Sequence, residues 1–162
     1  MAHHSAAGVP PASALTKLFN PVIGRMLRAG LPFGPNVLMT VRGRSSGRQI
    51  TFPVAIIEFD GRRLVQSPFG EVNWVRNLRV AGEATIHRGR RREVLVAREL
   101  RPDEGGPALR RGLARYLESR YFAPVIARAF GLRRDSPPAA FVEVARSHPM
   151  FELHEAASDL HA

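Results

Sequence analysis

Val37-Leu38-Met39-Thr40-Val41-Arg42 runs into Gly43-Arg44-Ser45-Ser46-Gly47-Arg48 and out through Gln49-Ile50-Thr51-Phe52-Pro53-Val54-Ala55-Ile56-Ile57. Two runs rich in β-branched and apolar residues on either side of a glycine-bearing turn read as a hairpin of buried strands. The turn holds two glycines, two hydroxyls and two arginines. Glycines let backbone amides approach an anion closely, serines donate hydrogen bonds and guanidinium groups donate charge-assisted ones. It is not a nucleotide-binding P-loop, because no Gly-Lys-Ser/Thr opens a helix. The same composition also suits a solvated basic hairpin loop.

Working outward, the pattern continues as strands and short helices. Asp60-Gly61 is a hairpin turn into a strand over 63–67, and 72–80 reads as a short helix with Trp74, Leu78 and Val75 inward and Arg76 and Asn77 on another side. Residues 83–87 and 91–100 form a hairpin around Arg88-Gly89-Arg90. Pro102-Asp103-Glu104 opens a helix carrying Leu109, Leu113, Tyr116 and Leu117, and a second helix covers about 122–130. Phe141 to Ala145 and Pro149 to His154 read as the last strands. Six or seven mostly antiparallel strands with three or four helices make an α+β fold whose sheet closes into a small barrel.

Upstream, residues 1–13 read as a disordered lead, in which His3 and His4 are assigned no function. Residues 14–30 read as an amphipathic helix on Leu15, Leu18, Phe19, Val22, Ile23, Met26 and Leu27, interrupted at Pro21. Residues 31–155 are then the barrel domain and 156–162 a tail. The N-terminal helix either packs over one end of the barrel or lies on a membrane surface with its arginines at the headgroups.

The 162 residues fit one domain, and 44% hydrophobic content suits an ordinary core. With no cysteine, thiolate chemistry and disulfides are excluded, and a reducing, cytoplasmic setting is expected, with the inner membrane face as a place of peripheral contact. The chain carries 24 basic against 14 acidic residues, a net +10, and all the basic ones but Lys17 are arginine. Such a balance suits an anionic small molecule, a membrane surface or nucleic acid. Few aromatics interleave the basic tip Arg88, Arg90, Arg91, Arg92, so no nucleic-acid partner is expected. No run is long and apolar enough to span a bilayer, and no basic-then-apolar signal opens the chain.

Chemistry-bearing groups are few. Ser67-Pro68-Phe69-Gly70 ends a strand, and Asn73-Trp74-Val75-Arg76-Asn77-Leu78 begins a helix whose amides can face a negative group. Taken alone, Trp74 reads as a core anchor and Arg76 as a surface charge. His87, His148 and His154 are scattered without ligand spacing, so no metal site is expected. No Gly-x-Ser-x-Gly elbow and no paired carboxylates occur. Tyr121, among Arg120, Phe122 and Pro124, either lines a pocket or packs. Binding groups without an acid, base or nucleophile imply a cofactor that carries the chemistry.

Taken in order, these motifs resemble the deazaflavin-dependent nitroreductases, also called F420H2-dependent quinone reductases. Leu38 to Arg48 resembles their T-x-G-R-x-S/T-G strand and turn, and Pro53 falls where they have a proline. Val65-Gln66-Ser67 with Asn73 to Leu78 resembles their strand and W-x-x-N-L helix. Phe19-Asn20-Pro21-Val22 and His148 to Leu153 are similar to their opening and last strand. The resemblance implies a split β-barrel and reduced coenzyme F420 as hydride donor to a quinone, nitro compound or activated C=C bond. It implies cofactor contacts at Arg44, Ser45, Ser46, Gly47, Arg48, Pro53, Ser67, Pro68, Phe69, Asn73, Trp74 and Asn77. Ser67, Trp74 and Tyr121 would lie on the side of a hydrophobic substrate. Ser45 and Ile50 stand where many members carry basic residues, with Arg48 the nearest substitute. The alternatives are a non-catalytic barrel holding a fatty-acid-like lipid, and a barrel binding FMN or haem.

Overall fold

The structure, a computed structural model, describes residues 36–156. The expected N-terminal lead and helix, and most of the expected tail, lie outside the described residues. Six strands, β1 (Asn36–Arg42), β2 (Gln49–Phe59), β3 (Arg62–Gln66), β4 (Glu83–Arg88), β5 (Arg91–Glu99) and β6 (Met150–Glu155), close into an antiparallel barrel in the order β1-β2-β3-β6-β5-β4. Among the described residues four helices accompany them: α1 (Asn73–Ala81), α2 (Pro102–Leu117), α3 (Ala123–Phe130) and α4 (Pro138–Ser147). The molecule is the expected α+β split barrel. No described helix is long and apolar enough to cross a membrane.

Strand alternation sorts side chains into two cores. Val37, Met39 and Val41 of β1, Val54 and Ile56 of β2, and Leu95 and Phe151 fill the barrel. Val75 and Leu78 of α1 join that core with no exposure at all, so α1 plugs one end. Ile57, Leu64 and Met150 point outward and meet Leu109 and Leu113 of α2, Ile126 of α3, and Phe141 and Val144 of α4. Outside the barrel, Glu152 of β6 accepts hydrogen bonds from Arg62 of β3 at 2.6 Å and Arg98 of β5 at 3.0 Å, tying the seam where β6 sits between its neighbours. At the barrel end opposite α1, Arg88 reaches Glu58 at 2.6 Å and Arg63 reaches Glu93 at 2.7 Å. The basic hairpin tip is thus partly spent on closing the barrel mouth, over a cavity of about 150 Å³ floored by Ile56 and Ile86.

The hairpins follow their turn chemistry. Asp60 and Gly61 both have positive φ, 48° and 73°, the mirror-image turn that matches strand twist. One expected element is corrected. Phe141 to Ala145 is not a strand but the middle of α4. Its buried residues, Phe141, Val144 and Ala145, fall at helical spacing. Alternation over Val142-Glu143-Val144 mimics a strand. Helix wins because α4 must lie flat on α2, where Gly105 and Gly106 bring the two backbones together: a Cβ at Gly106 would stand 2.8 Å from the backbone of Val142.

Candidate functional site

The β1–β2 hairpin ends in the Gly43–Arg48 turn, with Arg42 opposite Gln49. Two backbone bonds close the turn: Gly43 N–H to Arg48 O and Gly47 N–H to Gly43 O, both 2.8 Å. Gly47 takes φ +65°, a conformation that favours glycine. The Arg48 N–H donates to Ser46 Oγ at 3.3 Å, so one of the two hydroxyls is used in shaping the loop. The side chains of Arg48 and Ser45 are exposed and have no partner among the described residues. Arg42 is likewise unpaired, and its guanidinium lies over Gly47, 3.9 Å from where a Cβ would be.

Arg44 fastens the turn to α1. Its Nη1 donates to Asn77 Oδ1 at 2.7 Å, and its backbone N–H to the same oxygen at 3.3 Å. Asn77 is therefore not on the solvent side with Arg76, as the sequence suggests. It is buried beside Val75 and Leu78, while Arg76 reaches out to Glu71 at 3.2 Å. One turn before Asn77, half-buried Trp74 stands 5.8 Å from Phe52 and 6.2 Å from Phe151, centroid to centroid. Trp74 thus lies against the barrel core, with Phe151 fully buried behind it.

Pro53 follows Phe52 in the half of β2 that pairs with β1 alone; β3 pairs only with 56–59. A residue without an N–H is tolerated where the strand has one neighbour, and the other edge of the β2 backbone there is left without a strand. Ser67, just past β3, is fully buried; its N–H donates to Pro149 O at 3.0 Å, but its Oγ has no partner. A buried hydroxyl without a partner is uncommon and marks a place where a ligand atom or water belongs. Pro68, Phe69 and Asn73 are exposed around it.

The structure thus brings Arg44, Ser45, Ser46, Gly47, Arg48, Asn77, Asn73, Trp74, Pro53, Ser67, Pro68 and Phe69 onto one end of the barrel. Tyr121 is not with them. It is 69% exposed and next to Phe122, which packs edge-on against Tyr116, a side chain packed on the outer core. Sequence reasoning missed Arg42, Phe52 and Phe151. Arg42 was legible as the basic residue abutting the turn; the two phenylalanines join Trp74 only through tertiary packing.

A second polar cluster lies on the outer face of the same strands. Thr40 Oγ1 is 2.7 Å from Thr51 Oγ1 and 2.8 Å from His87 Nε2. Burial, and then the charge of Arg92, hold the His87 imidazole below its usual pKa, so it is neutral near pH 7.

Unpaired cationic donors at a glycine turn, an aromatic row and an orphaned buried hydroxyl fit a long anionic cofactor with a flat ring, such as a deazaflavin with its acidic tail. They do not include a group placed for nucleophilic or acid–base work.

The family model for F420H(2)-dependent quinone reductase matches residues 16–122. No curated protein matches the chain. Among solved structures, the chain is similar to an F420-H2 dependent reductase (FDR-A) at 21% identity over 74% of this chain and 94% of that one, TM-score 0.45. It is also similar to a pyridoxamine 5′-phosphate oxidase-related, FMN-binding protein from Nostoc punctiforme PCC 73102, at 12% identity over 93% and 83%, TM-score 0.47. A protein of the pyridoxinephosphate oxidase family from Clostridium acetobutylicum shares 9% identity over 83% and 82%, TM-score 0.49. With two thirds of its length matched by the family model, the chain belongs to the F420H(2)-dependent quinone reductases and is an F420H2-dependent oxidoreductase.

Proposed function

We propose that this protein holds F420H2 across the end of the barrel closed by α1, and reduces a quinone that enters beside Ser67 and Phe69. Nitro compounds and activated C=C bonds are further acceptors of the same electron-poor kind. Bound F420H2 supplies the hydride. The anionic tail of the cofactor meets Arg48, Ser45, Arg42 and the free N–H groups of Arg44. Phe52, Pro53 and Trp74 would hold the ring, and Ser67 Oγ would donate a hydrogen bond to it. The acceptor side is flanked by exposed Phe69. The chain's part is to bind, orient and exclude water; effective concentration and a dry site lower the barrier without a covalent enzyme intermediate.

The observation that carries this reading is the Arg44–Asn77 contact at 2.7 Å. It locks the anion-binding turn onto the helix that bears Trp74, so charge recognition and ring recognition share one surface.

Trp74 is the only tryptophan, and its fluorescence reports occupancy. F420 is expected to quench it at micromolar concentration, with FMN and haem added separately giving weaker quenching. Arg48→Ala is expected to weaken F420 binding about tenfold at low salt, and less at high salt, as for a charge-assisted contact at an exposed site. Unchanged affinity in that variant would remove the turn from the site.

A further inference from the structure

α3 is apolar on its core face and on one flank. Ile126 and Phe130 face the outer core, yet Val125, about 100° round the helix from Ile126, is 62% exposed. Tyr121, Phe122 and Val125 leave a continuous apolar stripe to solvent, which Ala129 extends by a further turn. In the eight residues of α3 only Arg128 is charged. A surface helix normally turns polar side chains to water, so an apolar outer stripe marks a contact surface.

The rim of the stripe is basic. From 110 to 135 the chain has seven arginines against two carboxylates, Glu118 and Asp135. Arg128, Arg133 and Arg134 form no ion pair with any described residue. Arg115 and Arg120 lie over the rings of Tyr116 and Tyr121, 4.7 Å from each centroid. A basic rim round an exposed apolar stripe matches the two parts of an anionic bilayer interface, acyl chains and phosphates. A second copy of this chain would bring like charges together.

We infer that α3 is a docking surface for an anionic lipid bilayer, with Phe122, Val125 and Ala129 entering the acyl boundary and Arg120, Arg128, Arg133 and Arg134 meeting lipid phosphates. The test of this surface needs no F420, so this reading and the cofactor reading succeed or fail separately.

The full chain is sedimented with vesicles of phosphatidylcholine alone or mixed with phosphatidylglycerol. Binding is expected to the mixed vesicles, to weaken with salt, and to be slight on phosphatidylcholine. Val125→Glu, at an exposed position, is expected to lower partitioning at least tenfold, and Arg128→Ala about fivefold, the worth of one basic residue near such a surface. Both are checked for an unchanged circular dichroism melt; if Val125→Glu does not fold, Arg128→Ala decides. Absence of binding to the mixed vesicles, equal binding by the variants and the wild type, or a dimer that Val125→Glu dissociates would each overturn the inference.

Discussion

Ser67 is where the fold and its use pull apart. A hydroxyl with no exposure and no partner loses its hydration and gains nothing within the chain, at a cost of about 1–3 kcal/mol. Ser67→Ala is therefore expected to stabilise the cofactor-free protein by about 1 kcal/mol, a rise of about 2–4 °C in Tm for a chain of this size. The same change is expected to weaken F420 binding. Thermal denaturation with and without F420 separates the two: the variant gains without the ligand and is stabilised less by it. A fall in Tm without ligand would mean that the hydroxyl already has a partner. Asn77 is the converse case. Its amide oxygen is buried and doubly used by Arg44, so it fixes the turn without needing a ligand.

Among the elements, α1 and the α2–α4 pair divide the labour. α1 buries Val75, Asn77 and Leu78 in the barrel end and packs half-buried Trp74 against Phe52 and Phe151, making it both plug and site wall. α2 and α4 support the barrel from outside through a contact that only glycine permits. A Cβ at Gly106 would fall 2.5 Å from Val142 Cγ2 and 2.8 Å from Val142 Cα and N. A side chain can rotate away, but the backbone of α4 cannot. Gly106→Ala is expected to destabilise by about 2–3 kcal/mol, at the high end for overpacking, measured by urea denaturation. F420 affinity of the folded fraction should hold, because this layer lies on the far side of the barrel wall from the turn. The helix over 138–147 was illegible as such because the local pattern allowed either period, whereas α1 and α2 were legible from punctuation: Pro102 at a helix start, Gly82 with φ 68° past a helix end.

For the whole molecule, acid sensitivity should come in two windows. His87 has a folded-state pKa below its ordinary 6.5, so the unfolded chain takes up its proton first. Its contribution is complete above that value and is lost as pH falls through the range below it. Glu152, held down chiefly by the Arg62 hydrogen bond and opposed by burial, titrates below 4.5 in the fold. Its contribution is present above that pH and disappears only as pH falls further. Stability measured by denaturant midpoint is expected to decline gently below about pH 6.5 and steeply below about 4.5. His87→Gln should flatten the first decline and leave the second. A first decline unchanged in that variant would assign it to the general repulsion within a +10 chain.

Local chemistry was decisive for the hairpins, for the α+β class and for the residues of the turn, because strand alternation, Asp60-Gly61 and the Gly43–Gly47 spacing act over a few neighbours. The ordered motifs also carried the family. The order of the strands round the barrel was decided only in three dimensions, when Met150–Glu155 paired with both β3 and β5, since strand order depends on contacts that no local pattern encodes. Tertiary structure alone joined Arg44 to Asn77, 33 residues on, left Ser67 buried without a partner, and set Tyr121 beside Phe122 and Tyr116 on the outer helices. A sequence dictates which groups a chain can offer; which of them share a surface is set by how the strands close and which ends the helices cover.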